Sequence, residues 1–202
     1  MSAGNVRRTA PVKAEIALLE PFEGLPISRI FVPDGPAACK AACAEIIAAG
    51  VVGFDTESKP TFLKGEVSTG PHVVQFALPN KAFIFQLDRD ACRPFVIEIL
   101  RSEAVLKVGF GLQSDHAQIL AKLGIAPNAV LDLNVRFRSM GYPGTTGVRS
   151  AVAILFGKNF RKSKSVTTSN WAQPSLTERQ LLYAANDAYA ALCVYRACDV
   201  AP

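Results

Sequence analysis

Residues 72–87, HVVQFALPNKAFIFQL, decide the fold. Two apolar runs, residues 72–78 and 82–87, are separated by Pro79-Asn80-Lys81, a break short enough to demand a tight reversal. The pair therefore predicts an antiparallel hairpin. The first run is apolar in both registers, with Val74, Phe76 and Leu78 set against Val73 and Ala77. A strand apolar on both sides belongs to a sheet covered by helices on both faces. A doubly wound parallel domain has no place for such a hairpin.

Working outward, residues 51–57 read as a strand. Residues 37–49 read as an Ala-rich helix stopped by Gly50. Residues 27–32 predict a short strand ended by Pro33-Asp34-Gly35-Pro36. Beyond the hairpin the pattern alternates: a helix over 93–101, a strand over 105–110, a helix over 114–123 and a strand over 129–133. Helical segments follow over 134–140 and 148–156, with a last helix over 177–199. The sum is an α/β domain with a mixed five-stranded central sheet flanked by helices, plus the short strand near the start. That pattern suits a ribonuclease-H-like fold. Residues 157–174 are polar and basic and predict an exposed loop. Residues 1–26 carry Arg7, Arg8 and Lys13 with Pro11, Pro21 and Pro26, and predict a flexible basic arm before a single domain over 27–202.

The chain has 202 residues, half of them apolar and 19% charged, so it can build a core without staples. A net charge of +5 leans toward polyanionic partners. The five cysteines, Cys39, Cys43, Cys92, Cys193 and Cys198, form no Cys-x-x-Cys pair and read as small buried hydrophobes in a reducing compartment. The histidines, His72 and His116, stand far apart, which argues against zinc. Residues 16–19 are too short an apolar patch for a secretory leader, and no run approaches the ~20 apolar residues of a membrane span. The expectation is a soluble, cytoplasmic protein with no membrane partner.

Chemistry concentrates in three stretches. In Gly53-Phe54-Asp55-Thr56-Glu57, side chains two apart on a strand share a face, so Asp55 and Glu57 converge while Thr56 points away. In Tyr183-Ala184-Ala185-Asn186-Asp187, positions four apart on a helix put Tyr183 and Asp187 on one side. In Val108-Gly109-Phe110-Gly111-Leu112-Gln113-Ser114-Asp115, a strand breaks through two glycines and places Asp115 in the first turn of a helix. Oxygen-only ligands without Cys or His select Mg²⁺ or Mn²⁺ over zinc. Carboxylates so crowded resist ionisation unless cations sit among them. Two such ions can activate a water and stabilise the leaving oxygen of an in-line displacement at phosphorus.

The order Asp-x-Glu, then Asp, then Tyr-x-x-x-Asp resembles the DEDDy branch of the 3′→5′ exonucleases, the group of RNase D and the Werner-type exonuclease domain. Thr56-Glu57-Ser58-Lys59-Pro60, His72-Val73-Val74-Gln75-Phe76, Thr168-Ser169-Asn170-Trp171 and Leu176-Thr177-Glu178-Arg179-Gln180 look similar too. The resemblance spans roughly residues 28–199. It implies two metal ions: Asp55, Glu57 and Asp187 on the first, with Asp55 bridging to a second that Asp115 reaches through water. It also implies that Tyr183 orients the attacking water and that nucleoside 5′-monophosphates leave from a free 3′ end. The sister branch would carry a histidine where this chain has Leu182.

For substrate grip, Lys158, Arg161, Lys162 and Lys164 crowd one loop around Phe160, a mixture suited to single-stranded nucleic acid. Gln75 and Phe110 are candidates for lining the terminal-nucleotide pocket, and Lys59 and Lys64 for phosphate contact. Trp171 reads as a packing anchor. The chain looks closer to a stand-alone Werner-type nuclease domain than to RNase D with its added helical domains, and DNA and RNA both stay open as substrates. A rival reading, a nuclease fold turned nucleic-acid-binding scaffold, predicts a missing metal ligand, and none is missing.

Overall fold

The computed structural model describes residues 7–63 and 65–200, the side chains of residues 199 and 200 excepted. Lys64 and the first six residues of the expected arm lie outside the described residues. Six strands form one sheet: β1 (Ile30–Phe31), β2 (Val51–Glu57), β3 (Val73–Ala77), β4 (Ala82–Gln86), β5 (Leu106–Gly109) and β6 (Val130–Asp132), in the order β1-β4-β3-β2-β5-β6. The hairpin forms as its turn dictates, with Val74 opposite Phe85 and Phe76 opposite Phe83. Strand β2 runs antiparallel to β3, and β2–β5, β5–β6 and β1–β4 are parallel, so the sheet is mixed.

Alternation along β2 divides the core. Val52 and Phe54 join Phe76 and Phe85 beneath α2 (Gly35–Ala49), α3 (Arg93–Arg101) and α4 (Gln113–Leu123). Gly53, Asp55 and Glu57 face the other side, where α8 (Glu178–Val200) sets Ala184, Ala185 and Ala188 against Val73, Ala77 and Ile84. Two further helices, α5 (Asn134–Ser139) and α6 (Val148–Phe156), close the far end of α8 through Phe137, Val152 and Val194. Among the described residues, no helix is long and apolar enough to cross a membrane.

Four expectations need correction. Residues 7–26 are not a loose arm: they contain the short helix α1 (Lys13–Ala17), and Ile16 and Leu25 are 2% and 6% exposed. Pro21 also pairs with Asn159 in a parallel bridge. The expected strand over 27–32 is mostly a 3₁₀ turn at Ile27–Arg29, leaving two residues to β1. The expected exposed loop over 157–174 contains α7 (Lys164–Thr167) and sends Asn159, Phe160, Val166 and Trp171 into the interior. Cys39 and Cys92 are joined by a disulfide across a separation of 53 residues, a partnership set by the packing of α2 on the turn before α3. Cys43 remains a buried thiol.

Candidate active site

The acidic residues meet because α8 lies directly on β2. A Cβ at Gly53 would run into the Ala188 carbonyl, so glycine at this strand position permits the close approach. The start of α8 is fixed by a reciprocal cap. Gln180 N–H donates to Thr177 Oγ1 (3.3 Å), and Thr177 N–H donates to Gln180 Oε1 (3.0 Å). The Gln180 amide also donates to Ser169 Oγ (2.9 Å) and the Asn170 carbonyl (3.2 Å), tying the helix to the segment before it. Trp171, 1% exposed, packs its ring 6.1 Å from that of Tyr183, which agrees with its reading as an anchor.

Asp55, Glu57 and Asp187 each place a carboxylate oxygen within 4.8 Å of the others. Asp115 lies beside this trio rather than in it. It accepts a hydrogen bond from Thr56 Oγ1 at 2.5 Å and one from Ser114 Oγ at 3.3 Å. The turn that delivers Asp115 is braced by Asp132, which accepts from the N–H groups of Leu112 (3.2 Å) and Asn134 (3.0 Å). Lys162 reaches in from the preceding loop, its Nζ 2.6 Å from Asp187 Oδ2 and 5.6 Å from the centre of the Tyr183 ring. The Tyr183 hydroxyl accepts from Thr167 Oγ1 at 2.8 Å.

Burial and mutual repulsion push the carboxyl groups up together. For Asp55, burial leads and the charges of Asp115 and Asp187 add to it. For Glu57, burial followed by Asp55 and Asp187 raises the pKa to about 9. Burial also raises Asp115 and Asp187, the latter opposed by Lys162. Burial works against the Lys162 ammonium, but Asp187, Tyr183 and Asp55 outweigh it and hold its pKa above the ordinary lysine value. Tyr183 is pushed up to about 12 by burial and then by Asp187, so its hydroxyl keeps its proton. Asp187 Oδ1 is buried with no hydrogen-bonding partner among the described residues. Crowded oxygen donors, raised pKa values and an unsatisfied carboxylate oxygen together fit a hard divalent cation.

The expected nucleic-acid residues divide. Arg161 and Lys164 are exposed and Lys158 is half-buried. Lys162 belongs to the carboxylate cluster instead, because its ammonium pairs with Asp187. Phe160 is 6% exposed, packs edge-on to Phe22 and shares with it the lining of a cavity beside Tyr183 and Asp187. Gln75, expected to line the nucleotide pocket, is instead fully buried opposite Asp55 in the β2–β3 ladder, and both its amide atoms lack a partner among the described residues. Phe110 lines a cavity of about 170 Å³ with Asp55, Asn134, Lys162 and Asp187. His72 has a structural part: its Nδ1 accepts from Lys59 N–H at 3.1 Å. The sequence reading missed Thr56, whose hydroxyl holds Asp115, and Asp132. The turn before Asn134 was the available signal for Asp132, since Asp at such a turn bonds nearby N–H groups.

Comparison with known proteins agrees with this geometry. A family profile described as 3′-5′ exonuclease matches residues 30–198. The chain is 30% identical over 148 residues to the mouse bifunctional 3′-5′ exonuclease/ATP-dependent helicase WRN, covering 72% of this chain and 11% of that protein. It is 29% identical over 161 residues to Ribonuclease D of Nitrobacter hamburgensis, covering 78% of this chain and 40% of that protein. The chain thus spans only part of these relatives. Among solved structures, the Aedes aegypti Nibbler EXO domain superposes with a TM-score of 0.74 at 22% identity, covering 88% of this chain and 91% of that one. Trypanosoma brucei RNase D in complex with RNA U12 gives 0.74 at 20% identity, over 85% and 63%. The shared fold is the ribonuclease-H-like one expected from the hairpin. With its acidic trio assembled on that fold and the profile spanning nearly all of it, the chain belongs to the 3′-5′ exonuclease family.

Proposed function

We propose that this chain hydrolyses phosphodiester bonds from the 3′ end of DNA or RNA, releasing nucleoside 5′-monophosphates with the help of two Mg²⁺ or Mn²⁺ ions. The observation that carries the proposal is the convergence of Asp55, Glu57 and Asp187 within 4.8 Å at the junction of β2 and α8. These three would hold one ion, and Asp55 with Asp115 a second. Divalent cations held there would neutralise developing charge on phosphorus-bound oxygens and lower the pKa of water. Tyr183, protonated and adjacent to Asp187, orients the attacking water through its hydroxyl, which accepts from Thr167 and keeps its own proton to donate. Exposed Arg161 and Lys164, with Lys158 nearby, track the strand by charge. A structural neighbour solved with RNA supports RNA as a substrate, and the carboxylate site, facing the phosphodiester that both nucleic acids share, keeps DNA in the proposal as well.

The test is digestion of 5′-labelled single-stranded and duplex DNA and RNA with Mg²⁺, Mn²⁺ or EDTA, beside Asp187→Ala. The expected result is a metal-dependent ladder shortening from the 3′ end and absent in the variant. Binding without cleavage under every metal would contradict the proposal.

A further inference from the structure

Asp187, which lines the cavity at Phe110, also lines a second one together with Tyr183. A cavity of about 290 Å³ lies between the N-terminal segment, the loop that carries Lys162, and α8; its lining includes Phe22, Arg161, Arg179 and Leu182 together with Tyr183 and Asp187. Its outer wall, Pro21 to Gly24, precedes residue 30, where the match to the exonuclease family begins. The cavity is therefore completed by a part of the chain that the family profile does not include.

That wall is built, not draped. Asn159 N–H donates to the Glu20 carbonyl at 2.7 Å, and Phe22 N–H donates to the Asn159 carbonyl at 3.0 Å, so the segment pairs with the loop as a strand would. One residue before Asp187, Asn186 grips the same segment at both main-chain groups of Leu25. Its Oδ1 accepts from Leu25 N–H at 2.6 Å and its Nδ2 donates to the Leu25 carbonyl at 3.3 Å. Gly24 passes so near that a Cβ there would overlap the Asn186 amide. The Phe22 ring is steadied by Phe156 and Phe160, each with its centre at 5.9 Å.

We propose that this cavity is a nucleotide subsite: Phe22 and Leu182 face the base and sugar of a nucleotide bonded to the scissile phosphate, and Arg161 and Arg179 take a backbone phosphate. The inference rests on the exonuclease reading for the identity of the strand. Its size, just below the roughly 300–1,000 Å³ of small-molecule sites, suits one nucleotide unit. Its polarity matches as well. The carboxylate at its inner edge repels a phosphate, the two exposed arginines attract one, and the apolar lining between them suits a π-face. Sharing Asp187 with the carboxylate trio places such a nucleotide next to the bond being cut.

The test measures anisotropy of 5′-labelled single-stranded DNA and RNA in EDTA across a salt series, and KM and kcat for the same strands with Mg²⁺ or Mn²⁺. It compares the wild type with Arg161→Gln/Arg179→Gln, Phe22→Ala, and Arg101→Gln as a charge control on α3. The double arginine variant should bind roughly tenfold more weakly and raise KM with little change in kcat, as expected for two exposed phosphate contacts. Its slope of log affinity against log salt should be shallower by about 1.4, at ~0.7 per contact on a single strand. Phe22→Ala should weaken binding at unchanged slope, and Arg101→Gln should match the wild type. Unchanged affinity, slope and KM in the double variant, with a wild type that degrades the strand, would overturn the subsite and leave the exonuclease reading standing. A wild type that binds through the arginines but does not degrade would keep the subsite and overturn the exonuclease reading. A wild type that neither binds nor degrades would overturn both.

Discussion

Lys107 on β5 and Asp55 on β2 sit on neighbouring strands of one sheet, yet they meet its two faces under opposite terms. Lys107 is fully buried on the α3 side, opposite Val52 in the ladder. Its ammonium donates to the carbonyls of Ile99 (3.1 Å), Leu100 (3.4 Å) and Ser102 (2.8 Å). Three donors thus meet three acceptors at the negative end of a helix. Burial still draws its pKa down to about 8, but no like charge adds to that cost. On the α8 side, Asp55 shares its space with Glu57 and Asp187, and Lys162 meets the trio from one side. A buried charge whose partners are complete reads as structure. A cluster of like charges that its own surroundings leave incomplete reads as a site awaiting a ligand.

The contrast can be broken in several ways. The largest effect is expected from Asp55→Asn, which should reduce hydrolysis to background while raising the melting temperature of the metal-free protein, because one crowding charge is gone. Retained turnover would take Asp55 out of the site, and a fall in melting temperature would mean its charge was satisfied after all. Tyr183→Phe should lower kcat by about 10²–10⁴-fold with KM little changed, the range for a group that positions a proton or a water. Steady-state kinetics would read this directly, and an unaltered kcat would remove the hydroxyl from the mechanism.

On the other face, Lys107→Ala should behave inversely. It should leave kcat per folded molecule intact and cost roughly 2–5 kcal/mol of stability in urea unfolding, from the cavity and the carbonyls left unpaired. Lost activity at full stability would erase the distinction between the two faces.

The smallest effects are slopes against pH. Glu57 holds its proton in the folded state up to about 9, against an ordinary 4.5, so its contribution to stability is whole below pH 4.5 and declines as pH rises toward 9. Lys107 runs the other way. Its folded pKa of about 8 lies below the ordinary 10.5, so the unfolded chain holds the extra proton between those values and stability gains as pH climbs through them. Melting of the metal-free protein should therefore decline from pH 4.5 and flatten above 8. Glu57→Gln should weaken the decline, and a decline unchanged in that variant would exclude Glu57 as a source.

What the sequence disclosed follows the same division. The hairpin, β2 and α8 were legible because alternation, turn residues and helical periodicity are local signals, and spacing alone put Asp55 with Glu57 on one strand face and Asp187 with Tyr183 on one helix face. Lys162 was legible as a cation but not as the partner of Asp187, since the loop that aims it is held by pairing with Glu20 and Phe22 far upstream. The same long-range bonds fasten the N-terminal segment that proline and missing periodicity had marked as loose. Thr56 points away from its neighbours along β2, as a strand requires, and its role appears only when α4 brings Asp115 to it. Gln75 was assigned to the substrate because residue type suggests a contact without revealing burial.

The measurement that bears most directly on the carboxylate cluster is the melting temperature at pH 8 of the wild type and Asp55→Asn as Mn²⁺ or Mg²⁺ is raised to millimolar concentrations. A cation bound only by the folded state adds about 2.7 kcal/mol of stability at a hundred times its dissociation constant. The wild type should gain stability with metal, and Asp55→Asn, more stable to begin with, should gain much less. Melting of the wild type that ignores the metal would contradict the account, as would equal gains in both proteins.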